Sequence, residues 1–86
     1  MPTISAFFGI VIRMYYRDHS PPHFHAVYQE HEAKIDIEAL EILSGYLPRR
    51  ALGLVLDWTE LHQQELRDNW TRAEQRRVLN NIRPLE

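Results

Sequence analysis

Residues 18–38 have the sequence DHSPPHFHAVYQEHEAKIDIE, in which two alternating runs flank a short polar break. Every second residue from Phe24 to Tyr28 is apolar, and so is every second residue from Ala33 to Ile37. A period of two is typical of half-buried strands. Since the two runs are close in sequence, we expect them to pair antiparallel, because a parallel pair needs a long crossover.

The register of this hairpin predicts a polar face. If residues 29–32 form the loop, Phe24 lies opposite Ile37 and His25 lies opposite Asp36. Cross-strand partners have Cβ atoms about 5 Å apart, so His25 and Asp36 would be within hydrogen-bonding reach. Beside His19 in the turn, the polar face then carries Arg13, Tyr15, His23, His25, Lys34 and Asp36.

Outward from this hairpin, the chain changes from strands to helix. A run over residues 10–16 also alternates, and a short strand is expected around residues 41–43. From Pro48 onward the apolar period becomes helical, with one side formed by Ala51, Leu52, Leu54, Val55, Trp58, Leu61 and Leu66.

The predicted fold class is α+β: an antiparallel sheet of three to four strands followed by one long amphipathic helix on one face. The chain is treated as one domain, 1–86, with strands mainly in 1–45, helix mainly in 48–77 and a tail over 78–86. Asn69 is a candidate interruption of the helix. The tail is a candidate edge strand, because Pro84 cannot belong to a central one. We expect Trp58, Leu54 and Leu61 to pack on the sheet face that bears Ile35 and Ile37.

Composition limits the function classes. The formal net charge is −2 with histidines neutral, so binding to nucleic acid would need a local basic patch. The absence of cysteine excludes disulfides and thiolate metal sites. No signal peptide or apolar run of membrane-spanning length is seen, so a cytoplasmic protein without membrane contact is expected. A chain of 86 residues buries a modest core, which is compatible with a homodimer.

Three of the five histidines, His19, His23 and His25, lie within seven residues around a Pro-Pro pair. Neutral imidazole is the commonest metal ligand, and two prolines make the turn stiff. One interpretation is therefore a divalent metal ion held by these three histidines, with Asp36 orienting a ring. No other cofactor is expected.

A second interpretation needs no metal. His23 and His25 would act as general acid and base on a phosphodiester, with Arg13 and Tyr15 stabilising phosphate charge and Asp36 beside them. A third is a protein-interaction module built on the same face. His62, within the apolar stripe, is predicted to be a buried, hydrogen-bonded residue on the opposite side of the sheet. His31 is predicted to be solvated in the hairpin loop.

The chain as a whole resembles a prokaryotic family, domain of unknown function 4160. The resemblance is carried by the opening residues 1–5, by the runs 9–16, 18–28, 33–37, 47–52 and 65–70, and above all by the segment PPHFHA over 21–26. The chain departs from the family at residues 38–41, Glu-Ala-Leu-Glu, where the family often has a glycine-containing turn.

The resemblance implies a small bacterial protein, often encoded beside a second small protein and suspected of belonging to toxin–antitoxin modules. It carries over no catalytic residue. Our leading expectation is a component of such a two-gene module, acting on RNA or on the neighbouring protein through the histidine face. The alternatives are a small metal-dependent hydrolase or metal-binding protein, and a non-catalytic interaction module. Whether the protein is an enzyme stays open.

Overall fold

Five strands follow one another across a single antiparallel sheet in the order of the sequence. The computed structural model describes residues 2–86. The strands are β1 (Thr3–Phe7), β2 (Ile10–Arg13), β3 (His23–Tyr28), β4 (His31–Asp36) and β5 (Ile42–Gly45). Two helices, α1 (Arg49–Leu61) and α2 (Gln63–Glu74), come after them. The α+β class and the antiparallel sheet are confirmed, but the sheet has five strands where three to four were predicted.

The β3–β4 hairpin has a shorter turn than the sequence predicted. Tyr28 pairs directly with His31, so only Gln29 and Glu30 form the loop. Gln29 has φ +54, which a two-residue hairpin turn requires. The predicted register was therefore wrong by two residues, and Lys34 is the partner of His25. Because a shift of two keeps every side chain on its own face, the predicted division into apolar and polar faces survives.

The first strand escaped prediction because a bulge interrupts its alternation. The register between β1 and β2 shifts between Thr3 and Ser5, so that Ile4 and Ser5 are both buried. The β1–β2 turn is Phe8-Gly9, and both residues have positive φ. Gly9 meets this need without strain.

The β4–β5 connection is held by its own polar contacts. Oδ1 of Asp36 accepts hydrogen bonds from the backbone N–H groups of Glu38 and Ala39. Leu40 has φ +56, a conformation that normally favours glycine.

The helical half is two helices, so the prediction of one long helix was wrong. The break lies at His62, whose φ of −126° is not helical. The N–H of His62 donates to the carbonyl of Thr59, and its carbonyl accepts from Leu66 as α2 begins. Asn69 is buried inside α2 and does not interrupt it.

The core lies between the helices and the sheet face that carries Phe24, Ala26 and Ile35, all fully buried. Trp58 of α1 is also fully buried and packs 5.7 Å from the Phe24 ring. Leu54 is half-buried against this core, as expected. Leu61 is 69% exposed, contrary to the prediction, because the helix ends there and turns away.

The tail, 78–86, contains no strand. It lies along β1 with one backbone hydrogen bond, from the N–H of Ile82 to the carbonyl of Ile4. The Trp58 indole N–H donates to the carbonyl of Arg83. Pro84, which follows directly, lacks the N–H that a continued ladder would need. Among residues 2–86 no helix combines the length and apolar content needed to cross a bilayer.

Candidate functional site

The segment between β2 and β3 folds back over the first residues of β3 and brings Asp18 onto two histidines. Oδ2 of Asp18 lies 3.0 Å from Nε2 of His23 and 3.2 Å from Nε2 of His25. The three residues each place one potential ligand atom within 4.8 Å of the other two. His23 and His25 share a face because they are two residues apart on a strand.

The other ring nitrogen of each histidine is held by an oxygen acceptor. Nδ1 of His23 lies 2.8 Å from the carbonyl oxygen of Pro21, and Nδ1 of His25 lies 2.9 Å from Oε2 of Glu32. A carbonyl and a carboxylate oxygen can only accept, so both Nδ1 atoms carry the proton and donate it. Both rings are thereby fixed with Nε2 towards Asp18.

The two imidazoles lie on the predicted polar face of the sheet but are buried. His23 is 4% exposed and His25 is 8% exposed. The Tyr15 ring covers His25 edge to face at a centroid distance of 4.4 Å. The Trp70 ring of α2 lies 5.3 Å from that of His23. The two rings are therefore largely shielded from solvent.

The buried Nε2 of His23 has no hydrogen-bond partner among residues 2–86. The distance of 3.0 Å between this nitrogen and Oδ2 of Asp18 is short enough for a hydrogen bond, but the angle is unsuitable. In the plane of the His23 ring, Nε2 points past the carboxylate oxygen. Buried polar atoms without a partner are uncommon in folded proteins. This nitrogen is available for another ligand.

Burial opposes the ionisation of Asp18, but its neighbours outweigh that effect. The hydrogen bond with His25, the charge of His23 and the backbone N–H of His19 together hold the pKa of Asp18 below its ordinary value. Asp18 is therefore a carboxylate at neutral pH, and it faces both imidazoles in its charged form.

Not all of the predicted site residues join this cluster. His19, predicted as the third metal ligand, is exposed and lies outside the cluster. Asp18 is the third member of the cluster instead. Asp36 pairs with His23 across the ladder, but its carboxylate caps the β4–β5 turn. Arg13 and Lys34 are the direct cross-strand partners of His25 on β2 and β4, so both share its face.

Two residues of the site were missed. Asp18 was assigned only to the turn, and nothing in the sequence shows that the turn folds back over β3. Glu32 was assigned to the loop because the hairpin turn, Gln29-Glu30, has none of the Asn or Gly residues that mark a two-residue turn. An acidic residue on each side of the His-x-His pair is the signal that could have suggested both.

The remaining histidines have other roles. His62 is half-buried at the junction of the helices, 5.5 Å from the Trp58 ring, and its Nδ1 lies 2.6 Å from Oε1 of Glu65. The predicted hydrogen bond of His62 is thus present. His31 begins β4 instead of lying in the loop, and its ring packs edge-on against Tyr46.

Comparison with known proteins identifies the family. No curated protein and no solved structure matches the chain. The family model described as Domain of unknown function (DUF4160) matches residues 9–71, which include the strands β2–β5, the loop that carries Asp18 and most of both helices. Because this match covers well over half of the chain, the protein belongs to the DUF4160 family.

Proposed function

We propose that the protein binds a divalent transition-metal ion through Nε2 of His23, Nε2 of His25 and the carboxylate of Asp18. The observation that carries this proposal is the convergence of both Nε2 atoms on one carboxylate oxygen while both Nδ1 atoms are already donating. The hydrogen bond between His25 and Asp18 needs a proton on Nε2 of His25; a neutral imidazole with its single proton on Nδ1 would instead place an Nε2 lone pair against the carboxylate. A proton or a metal ion between the imidazole nitrogens and the Asp18 carboxylate removes this repulsion.

The donor set favours a metal ion over a proton as the functional partner. One proton joins one nitrogen to one oxygen, whereas His23 and His25 both present Nε2 to the same Asp18 oxygen. Ligand atoms on one tetrahedral zinc ion, each about 2.0–2.2 Å from it, lie roughly 3.3–3.6 Å from one another. The observed separations of 3.0 and 3.2 Å are slightly shorter, so the side chains need to move apart by only a few tenths of an ångström to hold an ion.

The surroundings match those of metal-binding histidines. Such histidines usually donate their second N–H to a backbone carbonyl or a carboxylate, which fixes the ring and raises its basicity. The carbonyl of Pro21 and the carboxylate of Glu32 have these roles here. Two imidazoles and one carboxylate suit zinc or iron(II), and three protein ligands leave a position open for water or substrate. Such an open position is typical of hydrolytic metal sites.

Isothermal titration with ZnCl₂, supported by the visible absorption of the Co²⁺-loaded protein, tests the proposal. We expect one ion per chain, and we expect His25→Ala and Asp18→Asn each to weaken binding by about tenfold or more. His19→Ala is the matched control, since His19 neighbours Asp18 but lies outside the cluster. No zinc binding, or loss of binding in His19→Ala alone, would contradict the proposal.

The role in a two-gene, toxin–antitoxin-like module stays a prediction from the family resemblance. Direct contact of a partner with an exposed histidine surface has less support, because only 4% of His23 and 8% of His25 is exposed. Co-purification of the chain with the protein encoded beside it, in the wild type and in His23→Ala/His25→Ala, checks whether a partner depends on this site.

A further inference from the structure

We infer that the ligand of this centre carries a phosphate group, which Arg13 and Lys34 hold beside the metal-binding residues. The inference rests on the proposed function and extends it to the chemical class of the ligand. Its starting point is the row of side chains that crosses the polar face of the sheet at His25.

Two cations flank His25 in that row. Arg13 of β2 and Lys34 of β4 are its direct partners in the two ladders. Direct partners in an antiparallel sheet have Cβ atoms about 4.5–5.5 Å apart and point to the same face. Both side chains are long enough to extend over the imidazole from opposite sides.

Neither cation has an anionic partner within residues 2–86. The ion pairs of that part of the chain use other cations, such as Arg67 with Glu38 and Arg72 with Asp68. Arg13 and Lys34 are half-buried, and neither takes part in a salt bridge or side-chain hydrogen bond with any residue that the structure describes. A half-buried cation that has no anionic partner is well placed to bind an anion from solution.

Charge balance at the loaded site favours a ligand with more than one negative charge. The carboxylates of Asp18 and Glu32 would neutralise a divalent ion, and the Asp36 carboxylate caps the β4–β5 turn, which leaves Arg13 and Lys34 without a carboxylate partner. A phosphate monoester dianion balances these two cations. Its tetrahedral oxygens can contact a metal ion and a guanidinium together, and arginine binds phosphate in bidentate fashion.

The opening beside Asp18 limits how much of the ligand enters. A cavity of about 20 Å³ lies between this loop and α2, lined by Arg17, Asp18 and Trp70 among others. Such a space holds one water-sized group. A phosphate group is larger than this space, so it would stay at the surface and present one oxygen to the opening. Arg17 and Glu74 both line this opening, so their charges offset one another there.

The test uses the Co²⁺-loaded protein titrated with phenyl phosphate, and with benzoate as a carboxylate of similar shape, while the visible cobalt spectrum is recorded. We expect phenyl phosphate to change the spectrum at concentrations about tenfold lower than benzoate. Arg13→Gln and Lys34→Gln should each raise the apparent Kd for phenyl phosphate about fivefold to tenfold, while the affinity for Co²⁺ stays within about twofold. Arg50→Gln, an exposed arginine of α1, is the control and should change neither value.

A parallel titration with a ribodinucleotide separates two sources of phosphate. A stronger response to phenyl phosphate, a dianion, indicates a terminal monoester and supports the inference; a stronger response to the dinucleotide, whose phosphodiester carries one negative charge, would overturn the charge balance on which the inference rests. Equal responses to benzoate and to the phosphate compounds, or an unchanged Kd in the double variant Arg13→Gln/Lys34→Gln, would overturn it. Failure of Co²⁺ to bind would overturn the metal site and this inference together.

Discussion

His23 occupies a position where stability and the proposed function oppose one another. Its side chain is 4% exposed, and its Nε2 is buried without a hydrogen bond. An unsatisfied buried polar atom costs about 1–3 kcal/mol. We expect His23→Leu to remove this cost while retaining contact with Trp70. In thermal melts without metal, the variant should be at least as stable as the wild type, and zinc should no longer stabilise it.

The outcome distinguishes a binding role of His23 from a purely structural one. If the imidazole served mainly to hold the fold, through the hydrogen bond of its Nδ1 to Pro21, His23→Leu would lower the melting temperature of the metal-free protein. Retained zinc stabilisation in the variant would contradict the assignment of His23 as a ligand.

His62 contributes to the fold and not to the site. It packs on Trp58 and is hydrogen-bonded to Glu65 at the junction of the two helices. We expect His62→Ala to lower the free energy of unfolding by about 1–3 kcal/mol, through lost packing and the lost hydrogen bond. Zinc affinity measured by calorimetry on the folded variant should equal that of the wild type. A loss of zinc affinity without a loss of stability would reverse this assignment.

The sequence identified the centre of the candidate site but not all of its members. His23 and His25 were found because a His-x-His pair on a strand places both rings on one face. The alternation that located the histidines did not locate Asp18 and Glu32, although an acidic residue lies on each side of the pair. The position of Asp18 depends on how the loop between β2 and β3 folds back. The position of Glu32 depends on a two-residue turn, and its residues Gln29 and Glu30 are not the Asn and Gly residues that usually mark such a turn.

At the scale of elements, one ion pair joins the β4–β5 turn to α2. Nε and Nη2 of Arg67 donate to Oε2 and Oε1 of Glu38 at 2.7 and 2.8 Å. These hydrogen bonds hold the pKa of Glu38 below its ordinary value of 4.5. Because the folded-state pKa is lowered, the stabilisation is complete above the unfolded-state pKa and is lost as the pH falls through the folded-state pKa.

Glu38→Gln should therefore lower the melting temperature slightly at neutral pH, and the difference from wild type should vanish in acid. The pair is exposed to solvent, so high salt should also reduce the difference. Glu41→Gln is the matched control, an exposed glutamate on the same connection. A difference that persists in acid would show that the Glu38→Gln substitution disturbs the turn by some means other than charge.

A second contact between elements attaches the tail to α2. The side-chain amide of Asn69, which is fully buried, donates to the carbonyl of Asn80 and accepts from its N–H, both at 2.8 Å. We expect Asn69→Ala to destabilise the protein by about 2–4 kcal/mol, since two hydrogen bonds are lost and a small cavity is left. Chemical denaturation measures this change. Asn81→Ala, an exposed position in the same tail, should change stability by no more than about 0.5 kcal/mol.

The elements were predictable where their period was undisturbed. The alternation in β3 and β4 predicted the hairpin and its faces, whereas the bulge in β1 hid that strand. The apolar stripe predicted helix on both sides of His62, since a one-residue break leaves the hydrophobic period almost unchanged. The tail lies beside β1 as an edge strand would, but it makes one ladder hydrogen bond, and Pro84 lacks the N–H that would continue the pairing.

For the whole molecule, the core and the proposed metal centre meet at Trp70, and most of the core lies away from the centre. The core residues Phe24, Ile35 and Trp58 are buried without any contribution from the site. Structural zinc sites usually have four protein ligands, and this centre offers three. We therefore expect the metal-free protein to be folded, as shown by far-UV and near-UV circular dichroism after treatment with a chelator.

Metal should then act on stability by mass action alone. An ion that binds only the folded state at a free concentration of one hundred times Kd adds about 2.7 kcal/mol. For a domain of this size each kcal/mol raises Tm by roughly 4–8 °C, so zinc should raise Tm by roughly 10–20 °C. A chelator should reverse the rise, and Asp18→Asn should abolish it while His19→Ala keeps it. A metal-free chain that is unfolded would instead make the centre structural. A wild-type Tm that does not respond to zinc would leave the convergence of His23, His25 and Asp18 to be explained by a shared proton.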